Sequence, residues 1–360
     1  MTRLEQINEI IESGGYPSYT LSQITHAVYK LGASDYTEIP NIPMKLRIKL
    51  KEKLGGILTL KNINEVKGGQ AHKVLFETRD KERIEAVRMI FHPDDDIHES
   101  LCISSQSGCA LGCTFCATGA VGFKKNLTED EISDQILYFK INNLKISSIS
   151  FMGMGEPFAN PNLFEALKII TDPNFLGISP RRLSISTVGL IPGIKRLTKE
   201  FPQINLAFSL HSPFPNQRLE IMPITKAYPI NNIFDALDEH IKETNKRVFI
   251  AYILLKGVND SPEHAKEIIK IIKERGRLSY LYHVNLIRYH PGPTISQFEK
   301  PNKESVNRFM EIIKDAGTNC TLKQSFGIKI YAACGQLYAK YETKSAALNE
   351  VKAYPTKYVH

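Results

Sequence analysis

From about residue 100 onward, short apolar runs alternate with amphipathic helical segments, and this alternation constrains the fold more than any other feature. Each run is too short to cross a membrane and suits a buried strand. Between the runs, capping signals such as Thr128 with Glu131 mark where helices begin. Strand–helix units in series predict an α/β fold with a parallel sheet, open or curled toward a barrel, and with functional residues at the carboxyl ends of its strands. The predicted strands are 101–104, 146–152, 183–187, 204–210, 248–255 and 280–287.

The first 95 residues have a different pattern. Apolar residues recur at helical spacing on both sides of Gly14-Gly15, and two β-like runs, 73–78 and 83–91, flank a polar turn that predicts a hairpin. The basic run 45–51 is either a solvated helix face or a patch that follows phosphates. We therefore predict an N-terminal accessory domain over 1–95, a core domain over 96–345 and a flexible tail over 346–360.

Charge and cysteine content narrow the class of protein. The net charge of +8 is compatible with a polyanionic partner such as RNA, although many basic proteins bind no nucleic acid. The N-terminus lacks the apolar core of a signal peptide, and no apolar window is long enough for a membrane span, so we expect a cytoplasmic protein. Structural disulfides are rare in that reducing compartment, so the six cysteines need another explanation.

Three of the cysteines form the sequence Cys109-Ala-Leu-Gly-Cys113-Thr-Phe-Cys116, directly after the first predicted core strand. A structural zinc site needs four ligands, commonly in two separated pairs, and no second pair exists here. A [4Fe–4S] cluster held by three thiolates would keep one iron open for an external ligand, as a catalyst requires. This spacing resembles the cluster-binding motif of the radical S-adenosylmethionine (SAM) superfamily, in which the open iron binds SAM.

A second motif, Gly153-Met154-Gly155-Glu156-Pro157, follows the second predicted strand. A glycine-rich turn after a strand is by itself a weak signal. It occupies the position at which the superfamily holds the amino end of SAM, where Glu156 offers negative charge to an ammonium group.

The whole chain, from about residue 15 to 342, resembles the RlmN/Cfr family of adenosine methyltransferases. Seven stretches carry the resemblance: 104–106, 116–119, 125–128, 151–156, 209–211, 284–287 and 332–337. The family fold implies a partial (β/α)6 TIM-like barrel as the radical SAM core. The family reaction implies 23S rRNA as the substrate, a flavodoxin-like low-potential electron donor, a disulfide reductant and a monomeric enzyme.

The resemblance also implies roles for individual residues. Cys334 matches the cysteine that carries the methyl group as S-methylcysteine, Cys102 matches the thiol that resolves the RNA adduct, and Glu85 matches the proposed proton acceptor. A buried structural cysteine and an ordinary strand glutamate are the alternatives for these positions. The residues implied to bind SAM, two molecules per turnover, are Gly155, Glu156, Ser186, Ser209, Leu210, His211 and Asn285.

Cfr-like members methylate carbon 8 of an adenine in the peptidyl-transferase centre and block several antibiotics, whereas RlmN-like members methylate carbon 2. The stretches 181–186, 208–213 and 282–289 look more like Cfr, but Pro157 is the RlmN-like choice. We therefore favour carbon 8 and keep carbon 2, with or without transfer RNA as a further substrate, as the alternative. Lys329 and Tyr331 replace acidic residues that the resemblance leads us to expect. The segment between Glu85 and Cys102 is a few residues longer than expected, which weakens the prediction that Glu85 reaches the substrate.

Two rival classes remain. A radical SAM activase that places a radical on a protein partner has no use for Cys102 and Cys334. A zinc-bearing RNA-binding protein without enzymatic activity would explain the charge and some of the cysteines.

Overall fold

The computed structural model describes residues 1–91, 97–292 and 297–337. The predicted tail over 346–360 and the segment around Asp95 lie outside these residues, and the domain boundaries at residues 95 and 345 stay predictions. Across the described ranges, every helix is too short or too polar to span a lipid bilayer.

The described helices alternate with strands along most of the chain. The capping box predicted at Thr128 and Glu131 forms as expected at the start of the fifth helix, and Thr2 and Glu5 form another at the start of the first. The helices are α1 (Arg3–Ser13), α2 (Tyr19–Tyr29), α3 (Met44–Leu54), α4 (Ala117–Val121), α5 (Glu129–Ile141), α6 (Leu163–Thr171), α7 (Ile191–Glu200), α8 (Pro215–Ile221), α9 (Ile230–Thr244), α10 (Pro262–Lys273) and α11 (Lys303–Asp315).

The strands form one ten-stranded sheet and one small two-stranded sheet within the described residues. They are β1 (Lys61–Gly68), β2 (Ala71–Glu77), β3 (Arg83–Phe91), β4 (His98–Cys102), β5 (Gln106–Gly108), β6 (Phe123–Asn126), β7 (Ser148–Phe151), β8 (Leu183–Thr187), β9 (Asn205–Ser209), β10 (Val248–Leu254), β11 (Tyr282–Arg288) and β12 (Asn319–Leu322).

The large sheet runs in the order β1-β2-β3-β4-β7-β8-β9-β10-β11-β12. Its strands are antiparallel from β1 to β4 and parallel from β4 to β12, as βαβ connections require. β5 and β6 pair separately and frame the loop that contains Cys109. The result is the predicted α/β fold, with a parallel core sheet whose strands are joined through helices.

The N-terminal helices pack on one flank of this sheet. α3 buries Leu46, Leu50 and Leu54, while Lys45 and Lys53 are exposed. Arg3 of α1 forms a buried ion pair with Asp134 of α5. The predicted hairpin is present as β2 and β3, and it is hydrogen-bonded into the core sheet through β4.

The six predicted core strands all exist, with ends that differ from the prediction by at most about three residues. β1, β12 and the β5–β6 pair were not predicted. Each has too few apolar residues in alternation for a sequence pattern to reveal it: β12, for example, is Asn-Cys-Thr-Leu with only Cys320 buried.

Candidate active site

The predicted site residues gather where the parallel strands end. Cys102 is the last residue of β4, and the Gly153–Glu156 turn follows β7. Ser186 and Ser209 lie at the carboxyl ends of β8 and β9, and Asn285 lies on β11. Because these strands are parallel, their carboxyl ends meet at one edge of the sheet, and the residues line cavities there.

The cysteine loop is held by its own backbone. The amide of Cys109 donates to the carbonyl of Gly122 at 3.1 Å, and that of Cys116 donates to the carbonyl of Cys113 at 3.1 Å. Gly112 has φ +62°, a conformation that glycine adopts without strain. The loop directs Cys109, Cys113 and Cys116 toward one cavity of about 380 Å³.

The three loop cysteines form no disulfide, and burial disfavours the anionic form of two of them. Burial raises the pKa of Cys109 to about 12, and the nearby Cys116 raises it as well. The pKa of Cys113 is also raised, by burial first and then by the other two thiols. A cationic cluster would reverse this cost, because bound metal keeps thiols deprotonated.

The surroundings of the loop also fit a four-iron cluster. The buried hydroxyl of Tyr289, which lies near Cys116, has no hydrogen-bond partner among the described residues. In the same residues, no three His, Cys, Asp or Glu side chains converge closely enough to chelate a single metal ion. A cubic cluster takes one thiolate per iron, so its ligands surround it instead of meeting at one point. Cys109, Cys113 and Cys116 are the residues that would hold it.

The Gly153–Glu156 turn lies on the wall of the same cavity. Gly155 has φ +94°, and a β-carbon there would come within 2.5 Å of the Gln106 side chain. The Gln106 side chain accepts a hydrogen bond from the Glu156 amide at 2.9 Å. The Glu156 carboxylate accepts a hydrogen bond from the Val188 amide at 2.9 Å, and burial raises its pKa to about 7. Glu156 therefore braces the turn as well as lining the cavity.

His211 is a neutral, fixed group in the cavity wall. Its Nδ1 accepts a hydrogen bond from the Ile253 amide at 3.0 Å, which leaves the proton on Nε2. Burial lowers the pKa of His211 to about 3. Its ring makes an edge contact with Phe115, the residue before the last loop cysteine, with ring centroids 5.0 Å apart.

The remaining residues predicted to bind SAM divide into two groups. Ser186, Ser209 and Asn285 line the cavity, and the two serine hydroxyls lie 3.3 Å apart. The Leu210 side chain instead lies in the hydrophobic core, and its backbone amide donates to the Ala251 carbonyl at 3.1 Å. For Leu210, any contact with a ligand would have to come through the backbone.

Cys102 and Cys334 meet at a second, smaller cavity of about 40 Å³ next to the first. Cys334 lines both cavities, whereas Cys102 lines only the smaller one. Burial raises the pKa of Cys102 to about 11; the proximity of Cys334 adds to the shift and Lys323 opposes it. The fold therefore places these two sulfur atoms, far apart in the sequence, on one wall beside the cysteine loop.

The loop that carries Cys334 is tied to the cysteine loop. The Ala117 amide, next to Cys116, donates to the Gly335 carbonyl at 2.8 Å. The Thr118 hydroxyl donates to the Leu337 carbonyl at 2.7 Å. These bonds fix the Cys334 segment against the start of α4.

Glu85 lies on β3, is 1% exposed and forms an ion pair with Lys73 at 2.8 Å. The Lys73 ammonium also donates to the carbonyl of Tyr331, in the segment that leads to Cys334, at 3.2 Å. Glu85 does not line either cavity. It is thus linked to the Cys334 loop through Lys73, and its role as a proton acceptor stays a prediction.

Two residues of the site were not predicted from the sequence. Arg218 of α8 is fully buried and donates to the carbonyls of Val188, Ser209 and Leu210 at 2.8, 3.1 and 3.0 Å. Lys323 follows β12 and lines both cavities. No pattern separates a buried arginine from a surface one, but the rule that function lies after strand ends would have found Lys323 once β12 was known.

Comparison with known proteins agrees with this arrangement. Residues 103–272 match the family model of the radical SAM superfamily. The chain is 49% identical over 345 residues to the ribosomal RNA large subunit methyltransferase Cfr of Staphylococcus aureus, covering 95% of this chain and 97% of that protein. It is 48% identical over 342 residues to the protein of the same name from Clostridium botulinum (strain Loch Maree / Type A3), covering 93% and 97%.

A solved structure extends the likeness to three dimensions. The crystal structure of a radical SAM methyltransferase from Sphaerobacter thermophilus matches with a TM-score of 0.86 and 37% identity. The match covers 94% of this chain and 98% of that one, so it extends well beyond the parallel core.

Proposed function

The chain belongs to the Cfr family of radical SAM ribosomal RNA large subunit methyltransferases, and from that membership we propose that it methylates carbon 8 of an adenine in the peptidyl-transferase centre of 23S rRNA. The Cfr relatives support the choice of carbon 8, and the shared wall of the two cavities carries the proposal of methyl transfer through a protein thiol. Cys334 faces the cavity of the cysteine loop and also the smaller cavity that it shares with Cys102. A radical SAM activase needs no such pair of thiols.

The family uses a [4Fe–4S] cluster and two SAM molecules per turnover. When bound, they supply the methyl group and a carbon radical able to remove hydrogen from it. Cys109, Cys113 and Cys116 would hold the cluster, and Gly155, Glu156, Ser186, Ser209, His211 and Asn285 would hold SAM. Phe115 and its apolar neighbours Met222 and Ile253 form a hydrophobic part of the wall of this cavity.

In this proposal, Cys334 takes up the methyl group and delivers its carbon to the base. Cys102 then attacks the sulfur of Cys334: the disulfide bond forms as the bond from that sulfur to the RNA-bound carbon breaks. The carbon keeps the electron pair and takes up a proton, which releases the methylated RNA. An external disulfide reductant must then restore both thiols. An external low-potential donor supplies the electrons that the cluster needs. The two thiols must reach each other, and their common cavity supports this order of events.

Glu85 is proposed as the group that removes a proton from the adduct, on resemblance alone. A general base must come within hydrogen-bond reach of the proton that it takes. Glu85 is paired with Lys73, so this role requires that RNA binding or movement of the Cys334 loop exchange that partner.

The N-terminal region, residues 1–95, is proposed to contribute to RNA binding. The exposed lysines of α3 and the net charge of +8 supply positive charge for phosphates. The proposal is supported by β1, β2 and β3 of this region, which belong to the same sheet as the strands of the active site.

Analysis of the modified base tests the assignment to carbon 8. We expect 23S rRNA from cells that lack other family members, but express this chain, to contain 8-methyladenosine after nuclease digestion and mass spectrometry. We also expect a raised inhibitory concentration for antibiotics that bind the peptidyl-transferase centre. Cells expressing the Cys334→Ala variant are the matched control and should show neither effect.

A specific observation favours the second candidate, methylation of carbon 2. Pro157, the RlmN-like choice, begins the short 3-10 helix Pro157–Ala159 directly after Glu156. If 2-methyladenosine alone is recovered, in rRNA or transfer RNA, the assignment changes from carbon 8 to carbon 2.

A further inference from the structure

The ammonium group of Lys323 points at sulfur atoms. Lys323 follows β12, and its backbone amide donates to the Leu286 carbonyl of β11 at 2.8 Å, which fixes the start of its side chain. Its Nζ lies 3.8 Å from the Sγ of Cys334 and 3.3 Å from the Sδ of Met152. Lys323 thus stands at the junction of the two cavities, beside the sulfur that both share.

This lysine has no carboxylate partner among the described residues, where its hydrogen-bond contacts are these two sulfur atoms. Other partly buried lysines of the protein, such as Lys73 and Lys125, form ion pairs with acidic side chains. Lys323 is partly buried, and a nearby anion stabilises an ammonium that is partly removed from water. The anion that the geometry makes available to Lys323 is the thiolate of Cys334.

We propose that Lys323 is the positioning residue that stabilises Cys334 as a thiolate, so that this sulfur can be loaded with a methyl group. The inference deepens the proposed function and rests on it for the role of Cys334. The loading step balances as a displacement: the thiol proton leaves to solvent, and the thiolate pair forms the new sulfur–carbon bond. The pair of the broken bond stays on the sulfonium sulfur of SAM, which becomes a neutral thioether.

The position suits both states of Cys334. Before loading, the ammonium lies beside the sulfur and favours its anion, which is the nucleophilic form. After loading, the thioether is neutral and Lys323 has lost its anionic partner. Its ammonium is then available to attract the thiolate of Cys102. Lys323, Cys102 and Cys334 all line the smaller cavity, so the same ammonium lies near both sulfur atoms.

Other ionisable groups also face these cavities and must be held constant in a test. Arg288, His290 and Cys102 line the smaller cavity. Glu156, His211 and the three cysteines of the loop line the larger one. All of these groups are retained in a variant that changes only Lys323, so a shift in the reactivity of Cys334 reports the ammonium itself.

Alkylation of Cys334 tests the proposal without SAM turnover. The anaerobically reconstituted protein is treated with iodoacetamide over a range of pH, and peptide mass spectrometry follows the unmethylated fraction of Cys334. Lys323→Met should slow this alkylation by about tenfold near neutral pH and raise the apparent pKa of the reaction by about one unit. Lys323→Arg, which keeps the charge, should restore most of the rate.

Two controls separate charge from packing. Lys314→Met removes an exposed lysine from α11, the helix before β12, and should leave the alkylation rate unchanged. Lys323→Gln repeats the loss of charge with a polar side chain, in case methionine disturbs the fold, and thermal melting confirms that each variant is folded.

Wild-type alkylation of Cys334 in both neutral variants would overturn the inference, and so would an arginine variant as slow as the methionine one. The proposed function fails in a different way. If the wild-type protein methylates no rRNA, Cys334 is not a carrier in that reaction, whatever its alkylation rate. If the Lys323 variants and the wild-type protein are alkylated at equal rates while rRNA methylation is intact, the role of Lys323 is refuted and the proposed function stands.

Discussion

The cysteine loop and the pair formed by Cys102 and Cys334 are both built from sulfur, but the chain assembles them differently. The loop cysteines lie in one short segment whose own hydrogen bonds fix its path. Cys102 and Cys334 come from β4 and from the segment after β12, and the ten-stranded sheet brings them together. A local motif can thus be recognised from spacing alone, whereas a site assembled by topology depends on every strand between its parts.

The largest effect is expected from replacing a cysteine of the loop, because only the loop cysteines should bind iron. Cys113→Ala removes a cluster ligand, so we expect the iron content to fall from about four per chain to almost none, with complete loss of rRNA methylation. Cys334→Ala should lose methylation equally but keep its iron. Anaerobic iron and sulfide analysis measures the cluster content of both variants. Loss of iron in Cys334→Ala would show that the two sulfur sites are not independent.

The next largest effect distinguishes the roles of Cys102 and Cys334. Cys102→Ala leaves Cys334 able to form the RNA adduct but removes the thiol that resolves it. We expect RNA to stay covalently attached to the protein, visible as a shifted band on a denaturing gel. Cys320→Ala, which changes a buried cysteine outside the site, is the matched control. Free methylated RNA from Cys102→Ala would contradict the resolving role.

The buried arginine beside the cavity should contribute more to the free energy of unfolding than an exposed arginine does. Arg218→Met leaves the carbonyls of Val188, Ser209 and Leu210 without their shared donor, and we expect a loss of about 3 kcal/mol or more in the free energy of unfolding. Urea unfolding measures it. Arg196→Met removes an exposed arginine and should cost less than about 1 kcal/mol.

Lys73→Met should destabilise the protein by a similar or smaller amount, about 2 to 3 kcal/mol, because Glu85 loses its buried cationic partner. Adding Glu85→Gln should recover most of that loss, since no buried charge then remains at this position. A double variant no more stable than Lys73→Met would show that the pair does not act as a unit.

The smallest effect concerns pH. The pKa of His211 is about 3 in the folded protein and 6.5 without the fold, so the stability that it contributes is complete above pH 6.5 and is lost as the pH falls. Between about pH 7 and pH 5 we expect this residue to account for about 2 kcal/mol. His211→Asn should reduce the loss of stability over that range.

Asparagine is a suitable replacement because His211 has φ +57°, which asparagine tolerates. Urea unfolding at both pH values gives the difference. The exposed His98→Asn variant should keep the wild-type dependence on pH, and an unchanged dependence in His211→Asn would show that this ring is not held neutral by burial.

The sequence was informative where structure follows local pattern. The six core strands and the capping box at Thr128 were predicted because apolar periodicity and capping are encoded by neighbours in the chain. β12 was missed because only Cys320 of its residues is buried. Without β12, nothing in the sequence places Lys323 beside Cys334.

For Glu85, the sequence predicted the strand correctly but could not predict the partner of the side chain. The strand β3 was predicted with both of its ends, but the partner of Glu85 depends on the register between β2 and β3, and no pattern within one strand contains that information. Leu210 is similar: a motif identifies the position, but only the packed structure shows that its side chain lies in the core.

The bonds from Ala117 and Thr118 to the segment after Cys334 have a consequence for damage by oxygen. Both bonds end on backbone carbonyls and involve none of the three loop thiols. They therefore hold the segment after Cys334 against α4 whether or not the loop carries its cluster. A protein stripped of iron by oxygen is expected to keep this segment in place, so that rebuilding the cluster alone should restore it.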